Sequence, residues 1–299
     1  MNRIKKVALE VKSLFEILFV GCVALLLPWS LSFRVLRWST RFHLLRGEAT
    51  ADAVANMEAW LGEKPANAER LYNLHRLIDS ADFFLTLKSS KGWMQRHLQV
   101  SRQDMPVADQ EKGAIFITLH YGQGFWALKW LKDKGYQVGW LYAPPPKVAP
   151  LGNKLFHWIG RKRVSQVEHL CGAVAIPTGG SIEKMRHRLL NEKKPVLVMP
   201  DAPLRSGQSK IKMHLLGRDI CIPAGALSMA ADEKLPVFIY SVVADITTGH
   251  RHMDIKGPFY NLETQDIIQH IQDHYNLVLS RDPTAWHAWP WVSTFLDAP

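Results

Sequence analysis

The chain has 299 residues, 47% of them hydrophobic, enough for one large domain or two small ones around a sizeable core. Its formal net charge of +10 calls for an anionic partner: nucleic acid, a negatively charged membrane surface or an acidic carrier protein. The basic residues are dispersed, without zinc-finger spacing or an RNA-binding signature, which sets nucleic acid aside.

The amino-terminal stretch LFEILFVGCVALLLPWSLSF holds an uncharged run from Ile17 to Phe33, interrupted only by Pro28. As a helix it would be about 25 Å long, slightly less than the hydrocarbon core of a bilayer. Lys5, Lys6 and Lys12 precede it, Arg34, Arg37 and Arg41 follow it, and Trp29 and Trp38 lie near its end. No small-x-small cleavage site comes after it. Residues 1–41 are therefore expected to form an uncleaved membrane anchor, either spanning or tilted in one leaflet, with cations on both sides leaving its orientation open.

Residues 42–299 read as one α/β domain. From about 50 to 98 the pattern is helical: ADAVANMEAWLG ends in glycine, and NAERLYNLHRLIDSADFFLTL spaces its apolar residues by three and four. His75, in the second of these helices, reads as structural. From Ala114 onward, short apolar runs (AIFITL, YQVGWLYA, GAVAIP, PVLVMPD, LPVFIYSVVADI) alternate with helical segments. That alternation predicts a largely parallel central sheet with helices on both faces. HMDIKGPFY is expected to add an edge strand, and TQDIIQHIQDHYNLVLSRDP a closing helix.

Sites in such folds gather where strands end at the carboxyl edge of the sheet. His120 directly follows AIFITL and Asp201 follows PVLVMP, so both are expected at the same edge. Gly122 and Gly124 leave room for backbone or substrate beside the imidazole. A histidine there suits a general base, because its ordinary pKa near 6.5 allows proton removal from a hydroxyl at neutral pH. No cofactor or metal site is expected: His250 and His252 fall on a predicted loop, and there is no His-Glu-x-x-His pattern. Cys22, Cys171 and Cys221 are odd in number and far apart, which predicts buried thiols in a reducing compartment. A Gly-x-Ser-x-Gly nucleophile elbow is also missing.

Five segments, taken in order, resemble the late acyltransferases of lipid A biosynthesis, part of the lysophospholipid acyltransferase superfamily. FITLHYGQGFWAL is similar to that family's strand followed by His-aromatic-Gly-Asn-x-acid, and WIGRKR to its arginine-containing segment. VLVMPDAP resembles its Pro-Asp-Gln block, LLGRDICIPAGALSMA its Phe-Phe-Gly block and helix, and RDPTAWHAWPWVSTF its terminal Pro-x-x-Trp-x-Trp segment. The resemblance implies acyl transfer from a thioester, on acyl carrier protein or CoA, to a hydroxyl or amine of an amphipathic lipid or glycolipid. It also implies a bacterial inner-membrane location with the catalytic domain on the cytoplasmic face.

Carried over residue by residue, the resemblance makes His120 the base, but the position of the family's acid is Phe125. Three readings follow. Asp201 supplies the carboxylate from the neighbouring strand, or Gln123 holds the ring as a neutral partner, or catalysis is lost and the chain only binds acyl chains or partners another acyltransferase. The Pro-Asp-Gln-x-x-Gly block reads PDAPLRSG, and the family's terminal His-Arg-Arg-Phe is replaced by WPWVSTF. Arg161, Arg163 and Arg205 remain as candidate anion contacts, with Gln123 as a further candidate for substrate binding.

Overall fold

The computed structural model describes residues 3–102, 105, 112–144, 154–204 and 207–296. Two helices open the chain, α1 (Arg3–Leu26) and α2 (Trp29–Ser39), and α3 (Thr50–Leu61), α4 (Ala68–Lys88) and α5 (Lys91–His97) follow. Then come β1 (Leu98–Val100), β2 (Ile115–Ile117), α6 (Phe125–Asp133), β3 (Gly139–Tyr142), α7 (Lys154–Cys171), β4 (Ile176–Pro177), α8 (Ser181–Arg186) and β5 (Val196–Val198). A hairpin of β6 (Lys210–Leu215) and β7 (Arg218–Pro223) leads to α9 (Gly225–Asp232), β8 (Val237–Ala244), β9 (Arg251–Phe259) and α10 (Thr264–Arg281). The described chain ends in 3-10 turns, Pro283–Ala285 and Trp289–Phe295.

Seven strands form the sheet in the order β1-β9-β8-β2-β5-β3-β4. Every pairing is parallel except β8 with β9. The expected largely parallel sheet with helices on both faces is therefore present. Residues alternate across it: Ile115 and Ile117 enter one core with α3, α9 and α10, while Phe116 enters the other with α1, α2, α4, α6 and α7. Burial on both sides explains why β2 reads as an unbroken apolar run.

One expectation about strands is corrected. The segment around HMDIKGPFY is not an edge strand: β9 lies between β1 and β8, and the short β1 takes the edge. The β6–β7 hairpin was not anticipated. Leu216 (φ 49°) and Gly217 (φ 78°) turn it, a two-residue connection with both central φ values positive.

The expected amino-terminal anchor is also different. Among the described residues, no helix is long and apolar enough to cross a membrane. Pro28 lacks a backbone N–H and sits in an extended conformation (φ −60°, ψ 145°), so it splits the Ile17–Phe33 run between α1 and α2. Val20, Val23 and Ala24 of α1 and Trp29, Phe33 and Leu36 of α2 are buried in the same core as the sheet's Phe116. Trp29 Nε1 donates to the Gly249 carbonyl at 2.9 Å, tying α2 to the β8–β9 turn.

Candidate active site

β2 and β5 are adjacent parallel strands, with Ile117 opposite Val198. Three residues further along each strand stand His120 and Asp201, so the register alone brings them side by side at the carboxyl edge. The contact is made twice. His120 Nδ1 lies 2.8 Å from Asp201 Oδ1, and the His120 backbone N–H donates to Asp201 Oδ2 at 2.7 Å. The Asp201 side chain is fully buried, whereas a third of the His120 side chain is exposed. A carboxylate at Nδ1 holds the proton there and leaves the outer nitrogen, Nε2, as the acceptor.

Burial pushes the His120 imidazole down, but the charge and hydrogen bond of Asp201, with the charge of Asp79, outweigh it. The net shift is upward from 6.5. An imidazole that is easily protonated, held at Nδ1 by a carboxylate and exposed over a third of its side chain, can accept a proton from a hydroxyl and return it to a leaving group.

The carboxy-terminal segment completes the site, which the sequence reading did not foresee. Trp286 Nε1 donates to Asp201 Oδ2 at 2.9 Å, and the Trp291 ring stands edge-on to His120 at 5.8 Å between centroids. His287 donates its backbone N–H to the His120 carbonyl (2.7 Å), and its Nε2 meets the Gly122 carbonyl at 3.0 Å. Burial is the main cause holding His287 below the usual imidazole value. The visible signal was the clustering of Trp286, His287, Trp289 and Trp291 just after an amphipathic helix.

Gly122 is required by backbone approach. Its φ is +65°, and a Cβ there would lie 1.9 Å from the Val242 carbonyl oxygen of β8. The room it makes is filled by the β8 backbone and not by substrate; Gly124 has open space around its Cβ position. Gln123 does not touch the imidazole. It is fully buried, its Oε1 accepts the Ala244 N–H at 2.5 Å, and its Nε2 is buried without a hydrogen-bond partner. The readings of Gln123 as ring partner and as substrate contact are thereby replaced by a role in joining the turn to β8.

Arg163 donates to both the carboxylate (2.7 Å) and the carbonyl (3.1 Å) of Asp79 on α4. Arg161 is exposed on the same helix, α7. Two residues along a helix turn the side chain by about 200°, so the two arginines do not share a face. Arg205 lies outside the described residues. His75 has the structural place expected of it: fully buried, its Nε2 lies 2.8 Å from Asp282 Oδ2. Burial raises the Asp282 pKa, but its bonds and charge interaction with His75 and its bonds to Thr284 bring it below the ordinary carboxylate value.

A cleft of about 800 Å³ opens beside Tyr121, lined in part by Val243, Met253, Val278 and Asp282; neither His120 nor Asp201 lines it. Among the described residues, no group of three or more His, Cys, Asp or Glu side chains is placed to hold a metal ion. Comparison with models of known protein families gives no match, and comparison with curated proteins gives none either.

Proposed function

We propose that this chain is a membrane-associated acyltransferase that moves an acyl chain from a thioester to a hydroxyl or amine of an amphipathic acceptor. The observation that carries the reading is the His120–Asp201 dyad: a partly exposed imidazole whose Nδ1 is held by a buried carboxylate at the carboxyl edge of the sheet. Two features already named support it, the ordered segments that resemble the lipid A late acyltransferases and a net charge of +10 suited to an acidic carrier protein. Acyl carrier protein or CoA is the proposed donor carrier, and the cytoplasmic face of a bacterial inner membrane the proposed location.

The chemistry is direct transfer. His120 Nε2 takes the acceptor's hydroxyl proton as its oxygen bonds to the thioester carbon. The resulting tetrahedral intermediate expels the thiolate, and the imidazolium returns the proton to sulfur. Asp201 stabilises the imidazolium between these two steps. Asp201 thus fills the role that the resemblance would give to an acid at position 125.

The experiment is single-turnover transfer from a radiolabelled acyl thioester to a lipid acceptor. His120→Gln should lower the rate by at least about a hundredfold, in line with the contribution of a positioned general base. Transfer by His120→Gln at the wild-type rate would remove this histidine from the reaction.

A further inference from the structure

One face of α1 is apolar from end to end and, among the described residues, is largely exposed. Ile4, Val7, Val11, Leu14, Leu18 and Leu26 recur at helical spacing, with 47% (Leu14) to 77% (Leu26) of their surface exposed. Phe15 and Cys22 fill in the stripe, and both are exposed. From Ile4 to Leu26 it runs about 33 Å, six turns of helix. Monomeric soluble proteins rarely leave so long a continuous apolar strip facing water.

The opposite face of α1 is committed to the protein. Glu16 is buried and pairs with Arg76, Gly21 lies against the Phe84 ring, and Glu10 accepts the backbone N–H groups of Lys154 and Leu155. Lys88 donates to the Leu25 carbonyl. A helix with these contacts on one side cannot be surrounded by lipid on all sides. Past Pro28 the exposed apolar residues continue on and after α2 with Leu31, Trp38 and Phe42, now beside the exposed Arg34, Arg37 and Arg41.

We propose that α1 and α2 dock the protein flat on an anionic bilayer, the α1 stripe immersed at the level of the upper acyl chains and the α2 arginines at the headgroups. This takes up the membrane association in the proposed function and does not depend on the transfer chemistry. Buried apolar area supplies the attraction and anionic headgroups add to it, as for other helices that lie in the interface. The spacing of the stripe would also suit pairing with a second copy. That arrangement would bring together two chains of charge +10, whereas an anionic surface turns the same cations into attraction.

The test uses the full chain with a Cys22→Ser background and a single environment-sensitive label at Val7→Cys, Leu14→Cys or Leu26→Cys. Vesicles of phosphatidylcholine, alone or mixed with phosphatidylglycerol, carry quenchers at known depths. The expected result is binding to the anionic vesicles with all three labels at one shallow depth. Binding should weaken at least about tenfold in Arg34→Glu/Arg37→Glu and fall with added salt. A depth that increases steadily from one label to the next toward the midplane would replace docking by spanning. Labels that stay aqueous in the presence of vesicles would overturn the proposal, as would a lipid-independent dimer that shields them. Leu14→Glu/Leu18→Glu places charge where side chains are already in water, so it should abolish vesicle binding at an unchanged melting temperature. Transfer to a soluble acceptor is measured in the same variant: no transfer even in the wild type counts against the acyltransferase reading alone, and leaves the docking result standing.

Discussion

The Arg163 guanidinium lies over the Phe125 ring, 5.3 Å from its centroid, and also over Phe83 at 5.9 Å. The position at which the resemblance would place the acid is thus part of the seat of a cation. Cation–π attraction from two faces and the bonds to Asp79 fix Arg163 in one orientation. Asp79 also acts by its charge on His120 and His287, which places the arginine and the dyad in one electrostatic neighbourhood. In the proposed reaction a phenylalanine at 125 is accommodated, with Asp201 as the carboxylate at His120 Nδ1 and the Phe125 ring as a seat for a guanidinium.

Arg163→Gln is expected to raise KM for an anionic thioester donor about tenfold, the worth of one charge-assisted hydrogen bond. Arg161→Gln, on a different face of α7, should change it less than about twofold, the scale of an exposed ion pair. Steady-state kinetics with acyl-carrier-protein and CoA thioesters make the comparison. Equal KM values in the two variants would confine Arg163 to holding Asp79.

A second prediction concerns the join between the amino-terminal helices and the sheet. Arg251 is fully buried on β9, pairs with the fully buried Asp82, and stacks on Trp29 with 3.8 Å from guanidinium carbon to ring centroid. Burial raises the Asp82 carboxyl to about 6 despite the opposing influence of Arg251. Arg251→Met removes the partner of a buried acid and should cost about 3 to 5 kcal/mol in a denaturant melt. Adding Asp82→Leu should recover a good part of the loss, since an apolar pair of similar size needs no counter-charge. A double variant no more stable than Arg251→Met would mean that the stacking on Trp29, and not the orphaned carboxyl, carries the effect.

How much of this was legible in the sequence differs by element. The sheet was, because strands buried on both faces are expected to be apolar, and β2 and β5 are so throughout and β8 apart from Tyr240 and Ser241. The dyad was, because two parallel strands in register deliver the residues after them to one edge. The packing of α1 against the core was not: its outward stripe and its inward face are both largely apolar, and composition does not say which side meets protein. The hairpin was obscured because RDICIP does not alternate, although KIKMHL does, and Leu216 is an unusual residue for a position with positive φ. Trp286 escaped notice because tryptophan is ordinarily read as core, which it is; only the direction of its N–H, toward Asp201, gives it a second role.

Asp201→Asn tests the carboxylate. Asp201 Oδ2 accepts two N–H groups, from the His120 backbone and from Trp286, which keep an amide oxygen on that side and turn the amide nitrogen toward His120 Nδ1. Nδ1 then becomes an acceptor, the ring proton moves to Nε2, and the base is blocked. The rate should fall by up to about 10⁴, as where a triad loses its carboxylate. Weaker acceptance by the amide should cost about 1 to 3 kcal/mol, so a modest fall in melting temperature accompanies it. Wild-type turnover in Asp201→Asn would dissolve the dyad as a catalytic unit.

The last prediction sets activity against stability across pH. The folded-state pKa of His120 is raised above its ordinary 6.5: burial lowers it, and Asp201 and Asp79 more than reverse that. A raised histidine stabilises the fold when protonated, so its contribution is fully present below 6.5 and is lost as pH rises through the higher folded value. Catalysis runs the other way, because Nε2 must be unprotonated to act as a base. kcat/KM should therefore rise through the same window in which the stability difference between wild type and His120→Gln shrinks. In Asp201→Asn the charge that raised the pKa is gone while burial remains, so the acid limb of the residual activity should shift to lower pH. Rates and melts from about pH 5 to 9, with the imidazole resonance followed by NMR, report all three quantities. An acid limb at the same pH in wild type and Asp201→Asn would show that the titrating group governing the rate is not the imidazole held by Asp201.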